Sequence, residues 1–275
     1  LSSETCGLDI IGAEYLRDVQ PGELVWITPE GLSSYHWASE PQPKLCIFEM
    51  IYFARPDSVM NDESLYAYRL RIGEILAKES CVEADMVIGV PDSGIPAAIG
   101  FSRTSGIPYA EGLIKNRYVG RTFIQPTQHM REAGIRMKLN PLKDVLDGKR
   151  VIIVDDSIVR GTTSRKIVKA LRDAGATEVH MRISSPPVTH PCFYGIDTDN
   201  QDQLIAATRS VAEIAKQIEV DSLAYLSWEG MLAATGSNPE HFCSACFTGD
   251  YPIPVPERLK RSKLMLEEPI GAGSK

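Results

Sequence analysis

The sequence has no apolar run approaching the roughly 20 residues that a membrane-crossing helix needs, and its start, Leu1-Ser2-Ser3-Glu4-Thr5-Cys6, has neither the basic nor the hydrophobic region of a secretory signal. It lacks an excess of positive charge. Its 29 Lys and Arg against 36 Asp and Glu leave a formal net charge of -7. That argues against a general nucleic-acid binder, whose surface is normally basic. It does not argue against a small phosphorylated ligand, which a few local donors can hold. Cysteines are sparse, six in 275 residues, so a disulfide scaffold is excluded and a reducing, cytoplasmic compartment is the expectation. There is no initiator Met, and the N-terminus is expected to be a cut or processed end. Internal repeats and low-complexity tracts are also missing. What is there is an ordinary globular balance, 43% hydrophobic and 24% charged. The length is enough to bury the core of one large domain or two small ones.

The pattern along the chain is at first irregular. Glu23–Thr28 reads as a strand followed by the turn Pro29-Glu30-Gly31, and Leu45–Phe53 reads as a buried strand. Leu65, Tyr68, Ile72, Ile75 and Leu76 recur at helical spacing. Strands and helices then alternate. Asp85–Val90 is a predicted strand, Gly94–Ser105 a helix, Tyr109–Ile114 a strand and Val151–Val154 a buried strand. A helix carrying Ile167, Val168, Leu171 and Ala174 stops at Gly175, and Glu178–Ile183 is a further strand. Leu204, Thr208, Val211, Ala215 and Ile218 share one face of a later helix. This alternation predicts an α/β fold with a mainly parallel sheet and right-handed crossovers. Ligands then bind beyond the carboxyl ends of the strands, just after Val90, Ile114 and Val154.

One segment carries recognisable chemistry. The apolar strand Val151-Ile-Ile-Val154 runs into Asp155-Asp156-Ser157-Ile158-Val159-Arg160-Gly161-Thr162-Thr163 and then a helix. Two adjacent carboxylates at a strand end can accept hydrogen bonds from vicinal ribose hydroxyls or orient waters on a magnesium ion. Gly161 allows close backbone approach to an anion. Thr162 and Thr163 offer hydroxyls, and the helix start favours a phosphate dianion. It is not a Walker A loop, because the Gly-Lys-Ser/Thr ending is absent. The bland alternative is an acidic turn with Thr162 as N-cap. Strand, glycine, both threonines and helix in this order argue instead for binding of a phosphorylated ribose. A second feature is Cys243-Ser-Ala-Cys246, which alone is a zinc half-site, a redox pair or chance.

The segment Val151–Thr163 closely resembles the diphosphate-sugar motif of type I phosphoribosyltransferases, which bind 5-phosphoribosyl 1-diphosphate (PRPP) with magnesium. Further segments resemble one family, the amidophosphoribosyltransferases: Cys46-Ile-Phe-Glu-Met-Ile-Tyr-Phe-Ala-Arg-Pro-Asp-Ser58, Gly89-Val-Pro-Asp-Ser93, Gly112–Pro126, Ser184-Ser-Pro-Pro187 and His190-Pro-Cys-Phe-Tyr-Gly195. The similarity runs from Ser3 to about Tyr251. It implies a type I phosphoribosyltransferase fold with a short N-terminal β remnant of an Ntn-type glutaminase domain. The implied boundaries are 1–31 for the remnant, 32–260 for the phosphoribosyltransferase domain and 261–275 for the tail. The implied magnesium positions are Ser93, Asp155 and Asp156, and the phosphate loop is Ser157, Ile158, Val159, Arg160, Gly161, Thr162 and Thr163. Lys115–Gln128 corresponds to the family's flexible loop, where Lys115, Arg117 and Arg121 would neutralise the leaving pyrophosphate and exclude water. The alternative for these three is a solvated basic loop.

The implied reaction is substitution at C1 of the ribose by ammonia, giving 5-phosphoribosylamine in the first step of purine synthesis. Purine nucleotides are implied as inhibitors and a homotetramer as the assembly. In the cluster-bearing branch of the family, the four ligands of a [4Fe–4S] cluster correspond to Cys46, Cys192, Cys243 and Cys246; structural zinc is the alternative. Cys81 is expected to be a packed thiol and Cys6 a core residue with no base beside it. Ser3–Gly31 resembles only the last stretch of the family's glutaminase half. Residue 1 is Leu, which offers no nucleophile, so free ammonia rather than glutamine is the expected nitrogen source. With sheet partners absent, Leu24, Val25, Trp26 and Ile27 are expected to form an exposed apolar edge. Two rivals remain: a phosphoribosyltransferase that uses a nucleobase or orotate, and a non-catalytic PRPP-sensing regulator.

Overall fold

The computed structural model describes residues 1–37, 42–116, 139–196, 198 and 200–255. The tail at 261–275 and most of the basic loop, including Arg117 and Arg121, lie outside the described residues. The centre is a parallel sheet in the spatial order Ser222–Tyr225, Glu178–Ile183, Arg150–Asp155, Met86–Gly89. Its three strands from Met86 to Ile183 are buried on both faces, which is why they read as near-continuous apolar runs rather than alternating ones.

Two apolar layers hold this sheet. On one face Val87, Ile152 and Val154 pack under Leu65, Tyr68, Ile72 and Leu76 of the helix Leu65–Ser80 and Phe101 of the helix Gly94–Ser105. On the other face Ile88, Ile153, Met181 and Ile183 meet Ile167, Val168 and Leu171 of the helix Thr162–Asp173, and Ile214 and Ile218 of Val211–Ile218. Helices on both faces leave only the strand ends open, so the site is forced to the carboxyl edge.

Four expectations are corrected. The predicted strand Leu45–Phe53 is a strand only at Leu45–Cys46, after which Glu49–Phe53 forms a π-helical turn. The reason is Arg69, buried in the Leu65–Ser80 helix, whose guanidinium donates to the carbonyls of Met50 (2.9 Å), Ala54 (2.6 Å) and Glu49 (3.5 Å). The helix expected over Leu204–Ile218 is split into Ile205–Thr208 and Val211–Ile218. Ser210 and Glu213 form a capping box that starts the second helix afresh. The strand expected at Tyr109–Ile114 is a single parallel bridge from Tyr109 to Val87 followed by the short antiparallel pair Leu113–Lys115 and Leu139–Pro141. Cys81 is exposed rather than packed, because the helix ends at Ser80 and turns its cap outward.

At the N-terminus, Glu23–Thr28 pairs with Gly31–His36 in a two-stranded hairpin, Thr28 opposite Gly31. Leu24, Trp26 and Ile27 are exposed as expected, with Leu32, Tyr35 and Trp37, while Val25 is half-buried. Cys6 is buried as expected, but Glu4 lies beside it, with a carboxylate oxygen 3.9 Å from the thiol.

Candidate active site

The central strand ends at Asp155, and Asp155 and Asp156 are both buried at its carboxyl end. The backbone N–H of Asp156 donates to the Asp155 carboxylate at 3.0 Å. The two Asp156 oxygens are taken separately: Ser157 donates to one at 2.6 Å and Ser93 to the other at 2.5 Å. Ser93 is delivered by the neighbouring strand. Val90 N–H donates to the carbonyl of Val154, and Gly94 N–H to that of Val90, each at 2.9 Å. A Cβ at Gly94 would stand 2.4 Å from the Val154 carbonyl oxygen, so only glycine lets the Gly94–Ser105 helix start this close to the strand end. The sequence-derived trio Ser93, Asp155 and Asp156 is thus one cluster.

Burial raises the Asp155 carboxyl well above the usual carboxylate range, and the Asp156 charge adds to it. Burial raises Asp156 too, against the opposing effects of the Ser157 and Ser93 hydroxyls and the positive charge of Arg69. Two carboxylates in this position are an unfavourable arrangement that a bound cation would relieve. Among the described residues no group of three or more His, Cys, Asp or Glu side chains is gathered to hold a metal ion. A pair of carboxylates suits magnesium, which keeps waters and substrate phosphates among its ligands.

The loop after the pair divides by side chain. Ile158 is fully buried in the core, and Val159 packs with Phe48, Val188 and Leu204 while its carbonyl accepts the Ile205 N–H at 2.9 Å. These two anchor the loop and can offer a ligand only their backbone. Arg160, Thr162 and Thr163 are exposed. Gly161, not Thr162, is the N-cap, with φ +73° and a carbonyl that accepts the Arg165 N–H at 3.0 Å. A Cβ there would meet Ile205 at 2.8 Å. The first-turn N–H groups from Thr162 onward have no intrahelical acceptor and present positive charge at the helix start.

Lys115, at the stem of the basic loop, forms an ion pair with Asp92 in the Pro91–Ser93 turn, which is entered through a cis Pro91–Asp92 peptide bond. Asp92 had been assigned no role from sequence. Neither had Arg69, although its signal was present: it lies in the apolar stripe Leu65, Tyr68, Ile72, Leu76, where a buried cation needs a reason.

The four cysteines singled out by sequence line one small pocket. Cys46 stands opposite Cys243 in a parallel strand pair, Cys246 is in the following helical turn, and Cys192 comes from a loop whose backbone N–H donates to Thr198. Burial pushes the Cys46 thiol up to about 11 and Cys246 higher still, with the neighbouring thiols adding to both. Thr198 lines the same pocket, and its hydroxyl oxygen is buried without a hydrogen-bond partner among the described residues.

Comparison with known proteins converges on this region. The profile of the phosphoribosyl transferase domain matches residues 68–184, from the helix of Arg69 to the residue whose N–H donates to the Asp155 carbonyl. The amidophosphoribosyltransferase of Synechocystis sp. is 79% identical over 267 residues, 97% of this chain and 54% of the relative. That of Bacillus subtilis is 54% identical over 259 residues, 93% of this chain and 54% of the relative. The structure of glutamine phosphoribosylpyrophosphate amidotransferase from B. subtilis complexed with ADP and GMP matches with a TM-score of 0.85 at 54% identity, over 93% of this chain and 57% of that one. The chain spans about half the length of the curated relatives it matches. Over the length that it spans, the chain belongs to the amidophosphoribosyltransferase family.

Proposed function

We propose that this chain binds magnesium–PRPP at the Asp155–Asp156 strand end and transfers the 5-phosphoribosyl group to ammonia, releasing pyrophosphate and 5-phosphoribosylamine, the first step of purine synthesis. The observation that carries the reading is the buried carboxylate pair at the end of the central strand, braced by Ser93 and followed by a glycine-capped helix start. In this reading the carboxylates accept hydrogen bonds from the ribose hydroxyls, and the Ser157–Thr163 backbone with the hydroxyls of Thr162 and Thr163 holds the 5-phosphate. Ser93, Asp155 and Asp156 would hold magnesium, which when bound supplies positive charge to the diphosphate.

The bond from C1 to the diphosphate oxygen breaks, a bond from C1 to nitrogen forms, and the added nitrogen gives up a proton to solvent. The chain's contribution is positioning and electrostatics, so no protein nucleophile is required. Lys115, with Arg117 and Arg121, stabilises the charge gathering on the leaving group.

Cys46, Cys192, Cys243 and Cys246 fit a [4Fe–4S] cluster. Four thiolates are the donor set such a cluster requires, and all four cysteines line one pocket. When bound, the cluster would tie the Leu45–Cys46 and Phe242–Cys243 strands to the Cys192 loop. Purine nucleotides, which a B. subtilis relative binds as ADP and GMP, share the 5-phosphate and ribose hydroxyls and compete with PRPP in this reading. Residues 1–31 are read as the end of a glutaminase half and 32–260 as the phosphoribosyltransferase domain. The test is phosphoribosylamine formation from PRPP and magnesium. Turnover with ammonium salts is expected; no turnover and no PRPP binding would overturn the assignment.

A further inference from the structure

The turn Pro91–Ser93 is pinned on every side. Val90 and Gly94 are hydrogen-bonded at its ends, and Ser93 is fixed to Asp156. Its remaining side chain, Asp92, is two-thirds exposed and holds the Lys115 ammonium, itself over a third exposed. An ion pair this exposed adds little to stability, so its effect is to be sought in where it holds the lysine. Asp92 cannot travel, because its backbone is clamped. Lys115 can, because its ammonium sits on a four-carbon stem at the edge of a short hairpin. The pair lies one residue from Ser93, at the mouth of the carboxylate site.

We propose that Asp92 is a positioning residue for Lys115: in the free protein it occupies the place on the ammonium that an anionic oxygen of the diphosphate takes when ligand enters. This rests on the reading of the strand end as a diphosphate-sugar site. Asp92 keeps Lys115 beside the site and desolvated on one side, and it sets a threshold, since an anion must outcompete a fixed carboxylate. A magnesium-complexed diphosphate carries more charge than a single carboxylate and can do so; a lone monovalent anion does not.

The experiment is calorimetric titration of the full chain with inorganic pyrophosphate and magnesium. Asp92→Asn keeps the size and removes the competing charge, so it is expected to tighten pyrophosphate by about two- to fivefold, the range of a half-exposed ion pair. Lys115→Met should weaken binding, and adding Asp92→Asn to Lys115→Met should produce no gain. Asp92→Ser serves as a second neutral variant if the asparagine perturbs the turn. Equal or weaker binding by both neutral variants, or a gain that persists without Lys115, overturns the inference. Failure of the unaltered chain to bind pyrophosphate would instead count against the diphosphate-site reading itself.

Discussion

A cation-dependent contribution to stability is concentrated in one residue pair. Asp155 and Asp156 have raised carboxyl pKa values in the fold, so the folded state favours their protonated forms. Such a contribution is complete below the ordinary carboxylate range, near pH 4, and is lost as pH rises through the raised values. Asp155→Asn is therefore expected to gain stability relative to the unaltered protein as pH increases from about 4 to 7. Thermal melts across that range should show the difference in Tm widening with pH; a constant difference would contradict it. Magnesium should stabilise the unaltered chain at pH 7, by about 2–4 °C of Tm for each kcal/mol of relief, and have far less effect on Asp155→Asn. Arg69 is the matching buried cation. Arg69→Met leaves the carbonyls of Met50 and Ala54 without donors and Asp156 without its countercharge. A loss of about 2–5 kcal/mol in denaturant unfolding is expected. The carboxylates were legible in sequence because their types and order are local. Arg69 was hidden because its partners are 15 to 20 residues away and are backbone atoms.

Elements that aim the site depend on two glycines. Gly161 combines a left-handed backbone with a Cβ position already filled by Ile205. Gly161→Ala is expected to cost about 1–3 kcal/mol of stability and to weaken the binding of PRPP and nucleoside monophosphates, which carry the 5-phosphate, measured by unfolding and calorimetry on one preparation. Sequence periodicity placed the helices Gly94–Ser105 and Thr162–Asp173 and the strand Glu178–Ile183 correctly. It failed where a local signal was overruled. The apolar run after Cys46 has strand composition, yet the guanidinium of a distant helix collects its carbonyls and coils it. The split at Arg209–Ser210 was present as Ser-x-x-Glu but was outweighed by apolar spacing on both sides.

For the whole molecule, the cysteine cavity and the N-terminal hairpin decide how it behaves in solution. Anaerobically purified protein is expected to contain iron and acid-labile sulfide, and Cys46→Ser or Cys246→Ser to lose both together with Tm, because the thiols come from three separate segments that the cluster would tie together. Zinc in place of iron would refute the cluster. The hairpin leaves Leu24, Trp26, Ile27 and Trp37 exposed on a two-stranded ribbon, a shape only marginally stable alone in water. Replacing Trp26 and Ile27 with Thr is expected to reduce concentration-dependent association in light scattering without altering pyrophosphate affinity.

By itself the sequence determined three of the four sheet strands and the strand-to-helix motif, because each rests on residue type and short-range spacing that a single segment carries, whereas the set of four thiols came from the family resemblance. Only the tertiary structure decided which groups meet. It set Ser93 on Asp156 and Asp92 on Lys115, placed Arg69 beneath the carboxylates, and gathered Cys46, Cys192, Cys243 and Cys246 round one cavity. Those meetings join residues far apart in the chain, and it is sheet order and helix packing, rather than any local preference, that bring them together.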